Sequence, residues 1–274
     1  MRISTVGTAF VTGLIVPALV AVPAAASVRF ASVDAAICKK HNKQGTGKGE
    51  VTHLPKNKRS KYNGGDGNDK IYGSNKNDII NGGRGNDIIF GGGGKDVVCG
   101  GVGNDKVYGE DGNDRVFGEE DDDFLDGGKG NDKLNGQAGA DKLIGYGKKK
   151  GAITDAGRDL LDGSFDADVL IAGGRDTLIG GADNDELSSR TDTIGVKKMD
   201  GGLGDDTIFG SEANDTLLFG DVGNDVIRGL GGDDTLDGGD SDDDLSGGAG
   251  DDFCDGGDGT DKADTSCERV NNVP

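Results

Sequence analysis

Aspartate recurs at every ninth residue along one stretch of this chain: Asp69, Asp78, Asp87, Asp96, Asp105, Asp114, Asp123, Asp132 and Asp141. The series falters, returns at Asp159, Asp168, Asp176, Asp185, Asp206 and Asp215, and closes with Asp225, Asp234, Asp243, Asp252 and Asp261. A spacing held over so many positions marks a structural repeat. Glycine-rich runs precede most of these carboxylates, so turn carbonyls stand close to them and the donors on offer are all oxygen. Calcium accepts about six to eight such donors at about 2.3 to 2.6 Å in flexible arrangements, magnesium demands tighter geometry, and zinc would want His or Cys. Calcium is the ion these residues suit. The two regular runs, Asp69 to Asp141 and Asp225 to Asp261, supply the candidate ligands.

Carboxylates so spaced need a repeating element to hold them. From residue 64 the chain reads GGDGNDKIY, GSNKNDIIN, GGRGNDIIF, GGGGKDVVC, GGVGNDKVY, GEDGNDRVF, GEEDDDFLD, GGKGNDKLN and GQAGADKLI. Two residues beyond each aspartate stands an aliphatic side chain: Ile71, Ile80, Ile89, Val98, Val107, Val116, Leu125, Leu134 and Leu143. Six glycine-rich residues can turn the chain, and three extended residues then point the aliphatic one way and its neighbours the other. One aliphatic per unit buries nothing by itself, so the units must stack. Two nonamers per 18-residue coil would pile like strands in parallel at about 4.8 Å, with two facing ladders of aliphatic side chains. The expected fold class is all-β: a parallel β-roll, or β-helix solenoid, of stacked nonapeptide repeats, about ten coils long. Equivalent aspartates then form rows of like charge that repel until a cation neutralises them, so folding is expected to depend on metal.

The blocks resemble the haemolysin-type calcium-binding nonapeptide of the RTX family, G-G-x-G-x-D-x-U-x with U a large aliphatic residue. GGDGNDKIY, GGRGNDIIF, GGVGNDKVY and GGKGNDKLN match it at every fixed position, and the resemblance covers residues 64 to about 265. It implies a β-roll in which each ion lies between glycine loops on one edge of adjacent coils. One edge would hold Asp69, Asp87, Asp105, Asp123 and Asp141, and the other Asp78, Asp96, Asp114 and Asp132. In the last run Asp225, Asp243 and Asp261 would face Asp234 and Asp252. Those rows enclose ten ion positions, or +20 against the -28 carried from Tyr62 to the C-terminus. Effector domains and uncleaved C-terminal export signals are usual in the family's toxins and proteases, and neither is evident in this sequence. Their lytic and proteolytic activities are therefore not carried over.

Composition agrees with a repeat whose order comes from bound charge. The chain has 274 residues, 54 of them glycine, no Trp and a net charge of -20. So little apolar surface rules out a conventional core of large side chains, and only 4 prolines without a glycine triplet rule out collagen. Residues 1–26 read as an N-terminal signal peptide: Arg2, an uncharged stretch from Val6 to Val22, then Ala24 to Ala26. An extracellular, secreted protein is expected, and no later stretch approaches the roughly 18 apolar residues of a membrane span. Residues 27–63 form a basic arm, read as a solvated linker with no nucleic-acid role, since no aromatics interleave its lysines. Residues 64–144 are the first calcium-binding block, 145–204 interrupted repeats with loops, and 205–274 a second block with a disulfide cap.

Four cysteines in an exported chain suggest two disulfides, expected as Cys38 with Cys99 and Cys254 with Cys267, one at each end of the stack. A zinc site from Cys38, His41 and His53 lacks a second close cysteine. Hydrolase, metalloprotease and nucleotide-binding signatures are absent, so no catalytic residue is assigned and an enzyme is not expected. The expected function is structural or adhesive, with calcium ions and cell-surface or matrix polymers as partners. The alternative is a polysaccharide lyase or epimerase on a parallel β-helix, whose site would need the basic segments 145–158 and 188–200.

Overall fold

The computed structural model describes residues 45, 47–146, 148–149, 152–153, 157–173, 175–189 and 194–273. The expected leader at 1–26 and Cys38 lie outside them. The described residues are all-β with no helix: two 12-stranded parallel sheets face each other, and successive strands alternate between them. Lys61–Asp66, Ile79–Arg84, Val97–Val102 and Arg115–Glu120 follow one another in one sheet, while Lys70–Ser74, Ile88–Gly94 and Lys106–Gly112 lie in the other. This is the parallel β-solenoid of two strands per coil that the nonapeptide period predicts. The sheets begin at Val51–His53, which pairs with Lys70–Ser74, so the first coil starts inside the basic segment.

Register keeps the aliphatic positions in line. Ile71, Ile89, Val107, Leu125 and Leu143 are successive partners in one sheet, and Ile80, Val98, Val116 and Leu134 in the other. All are fully buried and form one continuous core that runs on to Leu245 and Cys254. Leu54 and Tyr62 close this core at its N-terminal end, and the expected Cys254–Cys267 disulfide lies at the other. Outside one sheet, His53, Tyr72, Phe90 and Tyr108 stack with ring centroids 4.5 to 5.0 Å apart, the spacing of adjacent strands.

Tight turns join the strands. Gly83 has a φ of 118°, and a Cβ there would stand 2.1 Å from the carbonyl oxygen of Gly65 in the preceding coil, so only glycine fits. The coils are not all equal. Leu134 pairs with Leu161, 27 residues on, and the longer coil between them includes the antiparallel pair Lys148–Lys149 with Ala152–Ile153. At the second interruption Glu186–Ser189 and Lys198–Leu203 are strands of the stack rather than loop.

Candidate metal centre

Every aspartate of the periodic series is buried. In the first edge row the N–H of Asp69 donates to Oδ1 of Asp87, Asp87 to Asp105, Asp105 to Asp123 and Asp123 to Asp141, at 2.6 to 2.7 Å. On the opposite edge Asp78 donates to Asp96, Asp96 to Asp114 and Asp114 to Asp132, at 2.7 to 2.8 Å. The last run repeats the pattern from Asp225 through Asp243 to Asp261 and from Asp234 to Asp252. The hydrogen-bonded rows follow the two edges that the family resemblance implies.

One carboxylate oxygen is engaged in this ladder; the other turns into the glycine loop. Among the described residues Oδ2 has no hydrogen-bond partner in Asp69, Asp87, Asp105, Asp123 and Asp141, nor in Asp96 and Asp114, nor across the last run from Asp225 to Asp261. A buried carboxylate oxygen without a donor is costly, and each of these rows repeats that cost coil after coil. Asp78 differs: Ser74, in place of the second glycine, donates its N–H to Asp78 Oδ2 at 2.8 Å, and Ser60 donates to Oδ1.

The loop leaves room around these oxygens. A Cβ on Gly100 would meet Asp105 Oδ2 at 2.4 Å and the carbonyl oxygen of Gly118, one coil on, at 2.8 Å. The same pair of oxygens converges at Gly82, from Asp87 and Gly100, at 2.2 and 2.5 Å. The first glycine of the block is therefore a cradle of carboxylate and carbonyl oxygens that any side chain would fill.

Electrostatics point the same way. Burial, opposed by the hydrogen bond from the preceding aspartate and reinforced by neighbouring carboxylates, pushes Asp87 up to about 7, Asp105 to about 8 and Asp123 to about 9, against an ordinary 3.8. Burial likewise raises Asp96, Asp114 and Asp141 to about 7. These groups resist ionisation unless positive charge is supplied. Among the described residues no three His, Cys, Asp or Glu side chains converge on one point. An ion on these rows would take backbone carbonyls and water as well as carboxylates, a donor set that fits calcium and not zinc.

The middle of the chain extends the rows beyond the two regular runs. Asp141 donates to Asp168, Asp168 to Asp185, Asp185 to Asp206 and Asp206 to Asp225, with separations of 27, 17, 21 and 19 residues. On the other edge Asp132 donates to Asp159 and Asp159 to Asp176. A fixed count of 18 would put Asp159 beside Asp141; the longer coil moves it to the opposite edge. Coil length, not phase, assigns the edge. The second row then breaks, because the next position is Val196, whose N–H donates to Asp215 Oδ1 at 2.7 Å.

Stacked parallel coils edged by two rows of buried carboxylates define a parallel β-solenoid with a candidate cation site along each edge. The model of the RTX calcium-binding nonapeptide repeat (4 copies) matches residues 63–98, 96–125, 117–147, 153–187, 198–227, 219–254 and 228–263. More than half of the chain is covered, and the chain belongs to this family. No curated protein matches it.

Proposed function

We propose that this is an exported structural or adhesive protein at the cell surface whose ordered state depends on calcium held along both edges of the solenoid. The observation that carries this reading is the repeated Oδ2 without a partner, beside a raised pKa and a glycine cradle. Asp69, Asp78, Asp87, Asp96, Asp105, Asp114, Asp123, Asp132 and Asp141 would hold ions in the first block, and Asp225, Asp234, Asp243, Asp252 and Asp261 in the last. When bound, calcium supplies the positive charge and oxygen coordination that let these buried carboxylates ionise. Apart from Asp78, whose Oδ2 already accepts from Ser74, the aspartates hold the register of the coils through Oδ1 and would offer Oδ2 to the ion, and the first glycine of each block keeps the space clear. Export to a calcium-rich exterior, supported by the leader-like residues 1–26, would couple folding to arrival outside the cell. Among the described residues no helix is long and apolar enough to cross a membrane.

Far-UV circular dichroism during a calcium titration, with magnesium as control, tests this. A cooperative gain of β signal specific to calcium is expected, with half-saturation at roughly 0.1 to 1 mM as in extracellular modules. A chain fully ordered in chelator would overturn it.

A further inference from the structure

The break in the second carboxylate row opens onto a basic cleft. Arg158, Arg175 and Lys197 precede consecutive strands of one sheet, Leu160–Phe165, Thr177–Ala182 and Lys198–Leu203, so they lie on the same edge of three successive coils. The three side chains line an open cavity of about 880 Å³ together with Thr177, Asn214 and Thr216. Gly195 stands just before Val196, where Arg158 and Arg175 stand just before Asp159 and Asp176, and a Cβ there would meet the carbonyl oxygen of Asn214 at 2.0 Å, so the third coil carries no side chain at this position.

These cations have no ion-pair partner among the described residues, although the chain carries 50 acidic side chains against 30 basic ones. Lys129 pairs with Asp111, Lys198 with Asp200, Arg228 with Asp244 and Arg269 with Asp251, while Lys70, Lys106 and Lys142 also lack an ion pair among the described residues, so it is convergence on one cavity that sets the three cations apart. Three exposed, unpaired cations converging where the acidic row loses a carboxylate form a surface suited to external anions. Guanidinium forks recognise planar oxyanions in two-point fashion, and the neutral hydroxyl and amide groups of the cleft suit a hydroxyl-rich chain. Arg158 and Arg175 hold equivalent positions in adjacent coils, and Lys197 stands two residues beyond the equivalent Gly195 in the next, so three successive coils each supply a cation, which favours a ligand carrying a succession of anionic groups over a single ion.

We propose that this cleft binds the oxyanion groups of an acidic glycan. The inference rests on the calcium-ordered fold; Asp159 of the second row also lines the cavity, and the test leaves it unchanged. It is tested by isothermal titration of the full chain with oligogalacturonate, a heparin oligosaccharide, neutral dextran and single-stranded DNA. Binding is scored in whichever condition, calcium or chelator, circular dichroism shows the chain folded, so a failure of the calcium reading is seen separately. The variant combining Arg158→Ser, Arg175→Ser and Lys197→Ser should weaken binding of the acidic sugars about tenfold or more, and salt should weaken the parent's binding. The variant combining Lys70→Ser, Lys106→Ser and Lys142→Ser on the remote sheet face should bind as the parent does. Cleft-dependent binding of oligogalacturonate identifies carboxylates, and of heparin alone sulfates; either supports the proposal. Equal binding by the cleft variant, equal loss in the remote variant, equal binding of dextran, or tighter cleft-dependent binding of DNA would overturn it.

Discussion

Each repeating aspartate divides its carboxylate between two tasks, one oxygen fixing the neighbouring coil and the other facing the glycine loop. Asp105 illustrates both, since Oδ1 accepts from Asp87 and Oδ2 lies over Gly100. Asp105→Ala should therefore raise the calcium concentration needed for folding, by the loss of a charge-assisted hydrogen bond worth about 1.5 to 3 kcal/mol and of ligands on its edge. Asp264→Ala, outside the row, should leave that midpoint near the parent's in the same titration. Gly100→Ala tests the cradle without touching a ligand: its Cβ would meet Asp105 Oδ2 at 2.4 Å and Gly118 O at 2.8 Å, so something must shift. A cost of about 1 to 3 kcal/mol is expected in thermal unfolding with calcium, together with weaker ion binding. The identity of the aspartates was legible in the spacing, but the orientation of their two oxygens was not, because it depends on a neighbour one coil away.

At the scale of the element, the three-residue strand contributes a single inward side chain to the core. Leu125 is fully buried between Val107 and Leu143, and Leu125→Ala should cost about 2 to 5 kcal/mol by calorimetry in calcium. Val222→Ala, at the end of the strand Leu218–Val222 and 38 % exposed, should change stability within about 0.5 kcal/mol. Periodicity made the inward positions readable because a side chain two residues beyond each aspartate can only alternate to the same face. Coil length in the middle was not readable that way. The loop after Ile144 adds residues without changing the nine-residue phase, and only pairing of Leu134 with Leu161 shows which edge receives Asp159.

Across the whole molecule the rows couple folding to both metal and protons. The folded protein holds Asp87, Asp105 and Asp123 near 7, 8 and 9, above the 3.8 of the free side chain, so without metal it binds protons that the unfolded chain releases. The stability these groups contribute is fully present below about pH 3.8 and is lost as pH rises through about 7 to 9. Metal-free protein should accordingly gain β signal as it is acidified from about pH 9 to about pH 5, read by circular dichroism after exhaustive dialysis. In calcium titrations the trend reverses: protons compete for the same carboxylates, and the midpoint calcium concentration should rise as pH falls.

The repeating aspartates, the aliphatic ladder and the solenoid they require were all determined by local order along the chain. A period of nine residues with one apolar side chain has few ways to bury it, and stacking is the one that suits parallel strands. The Cys254–Cys267 pairing was also legible, since both residues fall at the same end of the stack. What only the tertiary structure decided depends on contacts between coils of unequal length. These are the edge taken by Asp159 and Asp168, the gap at Val196, and the meeting of Arg158, Arg175 and Lys197 at one cleft. Residues so far apart in sequence become neighbours only through the register of the sheets, which is set by how each intervening loop closes.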